Sequence, residues 1–201
     1  VVHRGLEDAY TLEAYLSIIE DARTRLIVVN SFPLQREVLH ALLRAVDRGV
    51  RVSVLVGHVR PVYGDDIAFG GGAYRALVDA LVRARLAALV DVGADVREFI
   101  VQNVAGWDAS LGTVRPYVHA KLLCADASRI AIGSANLDVT AGYWESEALV
   151  VVTDADVGRD LDTRLEQWLA SALPIDPRDP KWQSGADVRA WLGRVWPSVL
   201  S

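Results

Sequence analysis

Apolar positions along this chain recur with two alternating periods, and that alternation outlines a fold before any chemistry is considered. Over residues 8–24, Leu12, Tyr15, Leu16, Ile19 and Ala22 share one helical face with charges opposite. The run Arg25-Leu26-Ile27-Val28-Val29-Asn30 that follows has the length and content of a buried strand. The pair then repeats. Residues 34–48 place Val38, Leu39, Leu42, Leu43 and Val46 on one face, Gly49 is positioned to end that helix in a left-handed cap, and residues 50–56 form a second strand. Helices alternating with strands in this way predict parallel pairing.

Between residues 57 and 72 the composition shifts to Pro61, Gly64, Asp65, Asp66 and the triplet Gly70-Gly71-Gly72, which fits equally a loop that borders a site and a plain surface connection. A helix over residues 73–92 ends at Gly93, and residues 95–100 make a strand. Residues 102–116 are irregular around an isolated Trp107, which reads as a packed loop anchor. Three short apolar runs, 121–125, 129–133 and 148–152, are separated by turn-forming residues and should pair as neighbours. A helix over 157–173 precedes Pro174, Pro177 and Pro180, and a last short helix carries Trp191, Leu192, Val195 and Trp196. The expected architecture is α/β: a mixed sheet with helices on both faces. The expected division is a catalytic half-domain over 1–173 and a proline-punctuated linker with an amphipathic helix over 174–201.

Composition narrows the classes of function. With 201 residues, 52% hydrophobic and 23% charged, the chain has the makings of one soluble core. A formal charge of -5 argues against gripping nucleic acid by overall charge, though not against a local basic strip. Cys124, the single cysteine, sits in Leu122-Leu123-Cys124-Ala125 and is expected to be a small buried hydrophobe in a reducing compartment. No apolar stretch reaches the length of a membrane span, and Val1-Val2-His3-Arg4-Gly5 lacks a signal-peptide pattern, so a cytoplasmic location is expected. Methionine is absent even at position 1, which suggests that the sequence begins inside a longer gene product or after a removed segment, and a missing N-terminal half is to be considered.

The chemistry is concentrated in one stretch: His119-Ala120-Lys121, Asp126, Gly133-Ser134-Ala135-Asn136 and Glu147. On an extended segment alternate residues share a face, so His119 and Lys121 point the same way. Lys121 and the Asn136 amide suit non-bridging phosphoryl oxygens, and Ser134 adds a hydroxyl donor. A histidine that attacks phosphorus needs a neutral attacking nitrogen, which a carboxylate on the other ring nitrogen helps to fix. Glu147 is the candidate partner, with Glu145 on the same extended face as its rival. The other histidines, His3, His40 and His58, have no such neighbours and read as ordinary core or surface residues.

These residues resemble the HxKxxxxD signature of the phospholipase D superfamily, continued by its GSxN element and downstream glutamate. Residues 14–56 are similar to the helix-strand-helix-strand unit that opens a family half-domain, and the likeness extends over about residues 8–168. The phrase Gly133-Ser134-Ala135-Asn136-Leu137-Asp138 resembles the bacterial cardiolipin synthase branch, most of all a C-terminal half. The resemblance implies a phospholipase D-like half-domain that works through a phosphohistidine without metal or other cofactor. It makes His119 nucleophile or general acid and Lys121, Ser134 and Asn136 the phosphate binders. Glu147 stands with the catalytic group, and Asp126 joins it in a structural and orienting duty.

Only one such motif is present, whereas the family's site needs two. The implied partner is a second half-site, supplied by a homodimer mate or by a missing N-terminal half. Phospholipid head-group phosphodiesters are the expected substrate, hydrolysed or transferred to an alcohol; the aromatic tail (Trp191, Leu192, Val195, Trp196, Leu200) either packs against its own domain, the favoured reading, or rests peripherally on the inner membrane surface. One alternative is a homodimeric nuclease, which would need a basic strip from Arg51, Arg60, Arg75 and Arg115 to converge on the site. Another is a catalytically silent dimerisation half, against which the intact His119, Lys121 and Asn136 argue.

Overall fold

The computed structural model describes residues 1–5, 7–31, 35–57, 72–99 and 118–183, together with 187 and 191. Its elements are β1 (Val2–Arg4), α1 (Tyr10–Asp21), β2 (Arg25–Asn30), α2 (Arg36–Asp47), β3 (Arg51–Val56), α3 (Gly72–Asp91) and β4 (Asp95–Glu98). They continue with β5 (Leu122–Ala125), β6 (Arg129–Gly133), a π turn (Thr140–Trp144), β7 (Ser146–Thr153), α4 (Ala155–Ser171), β8 (Leu173–Pro174) and α5 (Pro180–Gln183). Gly49 takes φ +86° after α2, the left-handed conformation its place called for.

The eight strands among the described residues join one sheet in the order β1-β7-β6-β5-β2-β3-β4-β8. The helix-linked strands β2, β3 and β4 pair in parallel, as the crossovers require, whereas β5, β6 and β7 form an antiparallel meander. The two halves meet where β5 lies antiparallel to β2, with Val29 opposite Leu122 and Leu26 opposite Ala125.

Strand parity sends alternate residues to two cores. Leu26 and Val28 of β2 pack with Ile18 and Ile19 of α1, Leu42 of α2 and Leu86 of α3. Ile27 and Val29 pack on the other face with Leu165 and Leu169 of α4. Helices therefore cover both faces, which is why β2 reads as a continuous apolar run instead of an alternating one. Cys124 is buried in the second core, and that burial pushes its thiol up to about 11, so it acts as an apolar filler.

The segment after α4 departs from the expected linker. Leu173–Pro174 extends the sheet along β4, the Ile175 amide donates to the Val96 carbonyl at 2.9 Å, and Ile175 and Trp182 are buried in the first core. Pro174 suits an edge strand that needs few donors, and the buried Ile175 and Trp182 carry the folded unit past residue 174 at least to Trp182. No helix among the described residues is long and apolar enough to cross a membrane. The loop over 58–71, Trp107, His58, Arg60, Arg115, the side chains of His3 and Arg75, and Leu192, Val195, Trp196 and Leu200 of the tail lie outside the described residues.

Candidate active site

The meander brings the separated motif residues to one end of the sheet. Lys121 immediately precedes β5, Gly133 ends β6 and Glu147 is the second residue of β7. With Leu122 opposite Ile132 and Gly133 opposite Leu149, the start of β5, the end of β6 and the start of β7 coincide. Gly133 permits the closest approach. A Cβ there would lie 2.0 Å from the Ala148 carbonyl oxygen, so any side chain would force β7 away.

Ser134, the next residue, stitches the two strands together. Its amide donates to the Ala148 carbonyl at 3.0 Å, its hydroxyl oxygen accepts from the Ala148 amide at 3.1 Å, and the hydroxyl also meets the Glu147 carboxylate. Glu147 is thereby distinguished from Glu145, which lies exposed at the end of the π turn. Among the described residues the Glu147 carboxylate accepts a hydrogen bond from the Ser134 hydroxyl.

Lys121 is only 6% exposed, and its ammonium donates to the His119 carbonyl at 2.9 Å. Burial lowers its pKa below the usual lysine value, while the charges of Glu147 and Asp138 pull the other way. His119 itself is exposed. A buried cation beside an exposed imidazole is a charge arrangement suited to an anion arriving from solvent.

Three neighbours were not legible as site residues. Tyr15 of α1 donates its hydroxyl to the Ala135 carbonyl at 3.1 Å, and burial together with the Glu147 charge raises its pKa well above the ordinary phenol value. The Asn30 side-chain oxygen, at the carboxyl end of β2, accepts from the Leu137 amide at 3.3 Å. Asp138 accepts from the Ala141 amide and from the Thr140 hydroxyl, both at 2.9 Å, and so starts the π turn that leads to Glu147. Their only signals were a polar group on a core-facing helix position, a polar end to an apolar strand, and a turn-forming aspartate. The Asn136 side-chain oxygen is buried with no hydrogen-bond donor among the described residues. Such cost is commonly borne at functional sites.

Asp126 lies elsewhere. It follows the far end of β5, five extended residues or about 16 Å along the chain from Lys121. Its carboxylate accepts from the amides of Arg23, Thr24 and Arg25 and from the Thr24 hydroxyl, at 2.7 to 2.9 Å. It therefore ties the β5–β6 turn to the start of β2. Arg51 is displaced in the same sense. It begins β3 opposite Arg25, at the sheet end away from Lys121, so it cannot join a basic strip around His119. There it lines an open cavity of about 760 Å³ with Arg25 and Arg97, whose charges are met by Glu166 and Asp95. Among the described residues no group of three or more His, Cys, Asp or Glu is arranged to hold a metal ion.

Comparison with known proteins bears on the same stretch of chain. The family model described as "Cardiolipin synthase, PLD-like domain" matches residues 15–169, a span that begins within α1 and contains the whole meander and most of α4. The chain belongs to this phospholipase D-like family. Cardiolipin synthase A of Buchnera aphidicola is 25% identical over 189 residues, covering 94% of this chain and 32% of the relative. Cardiolipin synthase A of Pectobacterium atrosepticum is 27% identical over 184 residues, covering 89% and 32%. This phospholipase D-like chain thus spans about a third of the length of the curated relatives it matches.

Among solved structures, the phospholipase D family member Nuc from Salmonella typhimurium superposes with TM-score 0.61 at 16% identity, covering 87% of this chain and 97% of Nuc. Phosphatidylserine synthase from Haemophilus influenzae gives TM-score 0.64 at 14% identity, covering 94% of this chain and 45% of that one. At these identities the likeness concerns the phospholipase D-like fold, and the mixed sheet with helices on both faces agrees with it.

Proposed function

We propose that this phospholipase D-like domain contributes one half of a phosphodiesterase or phosphatidyltransferase site acting on phospholipid head-group phosphodiesters. The observation that carries the proposal is the meeting of Lys121, Ser134 and Glu147 at one sheet end, with His119 two residues from Lys121 on the same extended segment. Lys121 and the Asn136 amide hold the non-bridging oxygens, and Ser134 holds Glu147 in place beside them. A neutral histidine nitrogen attacks phosphorus, an N–P bond forms as the P–O bond to the leaving alcohol breaks, and a second histidine protonates that alcohol. Water or an acceptor alcohol then attacks the phosphohistidine, giving up its proton to the second histidine, and frees the first. His119 supplies one of these two histidines. The other comes from a second half-site, on a second copy or on another half of a longer protein.

The lipid reading draws support from the cardiolipin synthase relatives and from the acidic net charge. The nucleic-acid alternative loses Arg51, the one member of its basic strip whose side chain is described. The test is light scattering combined with cleavage of bis(p-nitrophenyl) phosphate in the presence of a chelator, with His119→Ala as control. A chelator-resistant, His119-dependent dimer supports a self-sufficient site made from two copies. A monomer that becomes active only when joined to another half-domain supports the two-half protein. Cleavage that survives His119→Ala overturns the assignment.

A further inference from the structure

We propose that Tyr15 is a positioning residue for the turn at 134–136, holding it from beneath through the Ala135 carbonyl; this rests on reading Lys121, Ser134 and Asn136 as a phosphate cradle. Tyr15 lies on the core face of α1, 2% exposed, at a position where an amphipathic helix asks only for an apolar side chain. A buried hydroxyl costs free energy unless it is used, and here it is used on a backbone carbonyl 120 residues away.

The turn has other anchors, but they sit at its ends. Ser134 is tied to Ala148, while the Leu137 amide donates to Asn30 and the Leu137 carbonyl accepts from the Gln35 amide at 2.6 Å. Between them, the Tyr15 hydroxyl is the hydrogen-bond donor to the Ala135 carbonyl among the described residues. That carbonyl belongs to the peptide leading into Asn136, so the direction of its oxygen fixes the peptide plane and with it the direction in which the Asn136 side chain leaves the backbone. Ala135 is 1% exposed, so water cannot stand in for the phenol. Burial, and after it the nearby Glu147 charge, favours the neutral phenol, the form that donates.

The test is a titration of the full chain with inorganic phosphate, followed by the backbone amide signals of Ser134 and Asn136, at a temperature where every variant is folded. Tyr15→Phe keeps the ring and removes the bond; Ile19→Val trims the same buried helix face without touching the turn. The expected result is phosphate binding weakened about tenfold by Tyr15→Phe, unchanged by Ile19→Val and lost in Lys121→Met. If Tyr15→Phe binds as the wild type does while Lys121→Met does not, the cradle stands and the role of Tyr15 is refuted. Equal weakening by Ile19→Val reduces Tyr15 to packing and also refutes it. If the wild type shows no Lys121-dependent binding, the cradle itself fails and the proposal with it.

Discussion

The ammonium of Lys121 turns back along its own chain and donates to the carbonyl of His119. Both side chains of the motif are thus tied to one short extended segment, and the positive charge is stored out of water. Burial lowers the lysine pKa in spite of Glu147 and Asp138, which means that the charge costs more in lost hydration than its partners return. An arriving phosphate would supply what is missing.

Replacing Lys121 with methionine should therefore stabilise the fold while removing its affinity for phosphate. The expected gain is about 1 kcal/mol at neutral pH, measured by denaturant unfolding. The sign of the pH dependence follows from the direction of the shift. The folded-state pKa lies below the value of 10.5 for an unperturbed lysine, so between the two the unfolded chain binds the extra proton and wild-type stability rises with pH. That alkaline rise should be absent from Lys121→Met. A variant less stable than the wild type would show that Glu147 and Asp138 outweigh burial.

Asp126 should behave in the opposite way. Burial tends to raise its carboxyl pKa, but hydrogen bonds from the Thr24 hydroxyl and from the amides of Arg25, Thr24 and Arg23 prevail and hold it below 3.8. Its contribution is present above the unfolded value and is lost as pH falls through the folded one. Asp126→Asn should cost about 2 kcal/mol at pH 7, with the difference from wild type shrinking under acid. Asparagine tolerates the positive φ of +50° at this position, so the change tests the charge and not the turn. Phosphate binding, read by the same amide titration, should not move; a loss there would return Asp126 to the site.

Gly133→Ala is expected to damage stability and site together. Its Cβ would meet the Ala148 carbonyl oxygen at 2.0 Å and the Leu149 Cα at 2.9 Å, both backbone atoms that cannot swing aside. A loss of about 3 kcal/mol is expected, with phosphate binding weakened because Glu147 lies on the displaced strand and Ser134 is hydrogen-bonded to it. Unchanged thermal unfolding would mean that β6 and β7 can part without cost.

Period alone was enough to read α1, α2 and the strands β2, β3 and β6, because their apolar faces are contiguous in sequence. The place of β1 and β8 at the sheet edges was not legible: β1 pairs with β7 and β8 with β4, and neither three nor two residues display a period. In the site, Lys121, Ser134 and Glu147 were legible as a group because they lie on neighbouring strands of one meander. Tyr15 was read only as a core-facing position of α1, since its partner is remote in sequence. The same distance hid the partners of Asp126, whose bonds to Arg23, Thr24 and Arg25 span 103 to 101 residues.

That separation also orders events in time. The β5–β6–β7 meander closes by short hairpin steps, which are fast, whereas docking β5 against β2 closes a loop of about a hundred residues and is entropically slow. The site-bearing ribbon is then expected to form early and the Asp126 latch to close late. Weakening the latch should leave the folding rate almost unchanged and appear instead as faster unfolding, so the lifetime of the site-bearing end would depend in part on a carboxylate at the opposite end of β5.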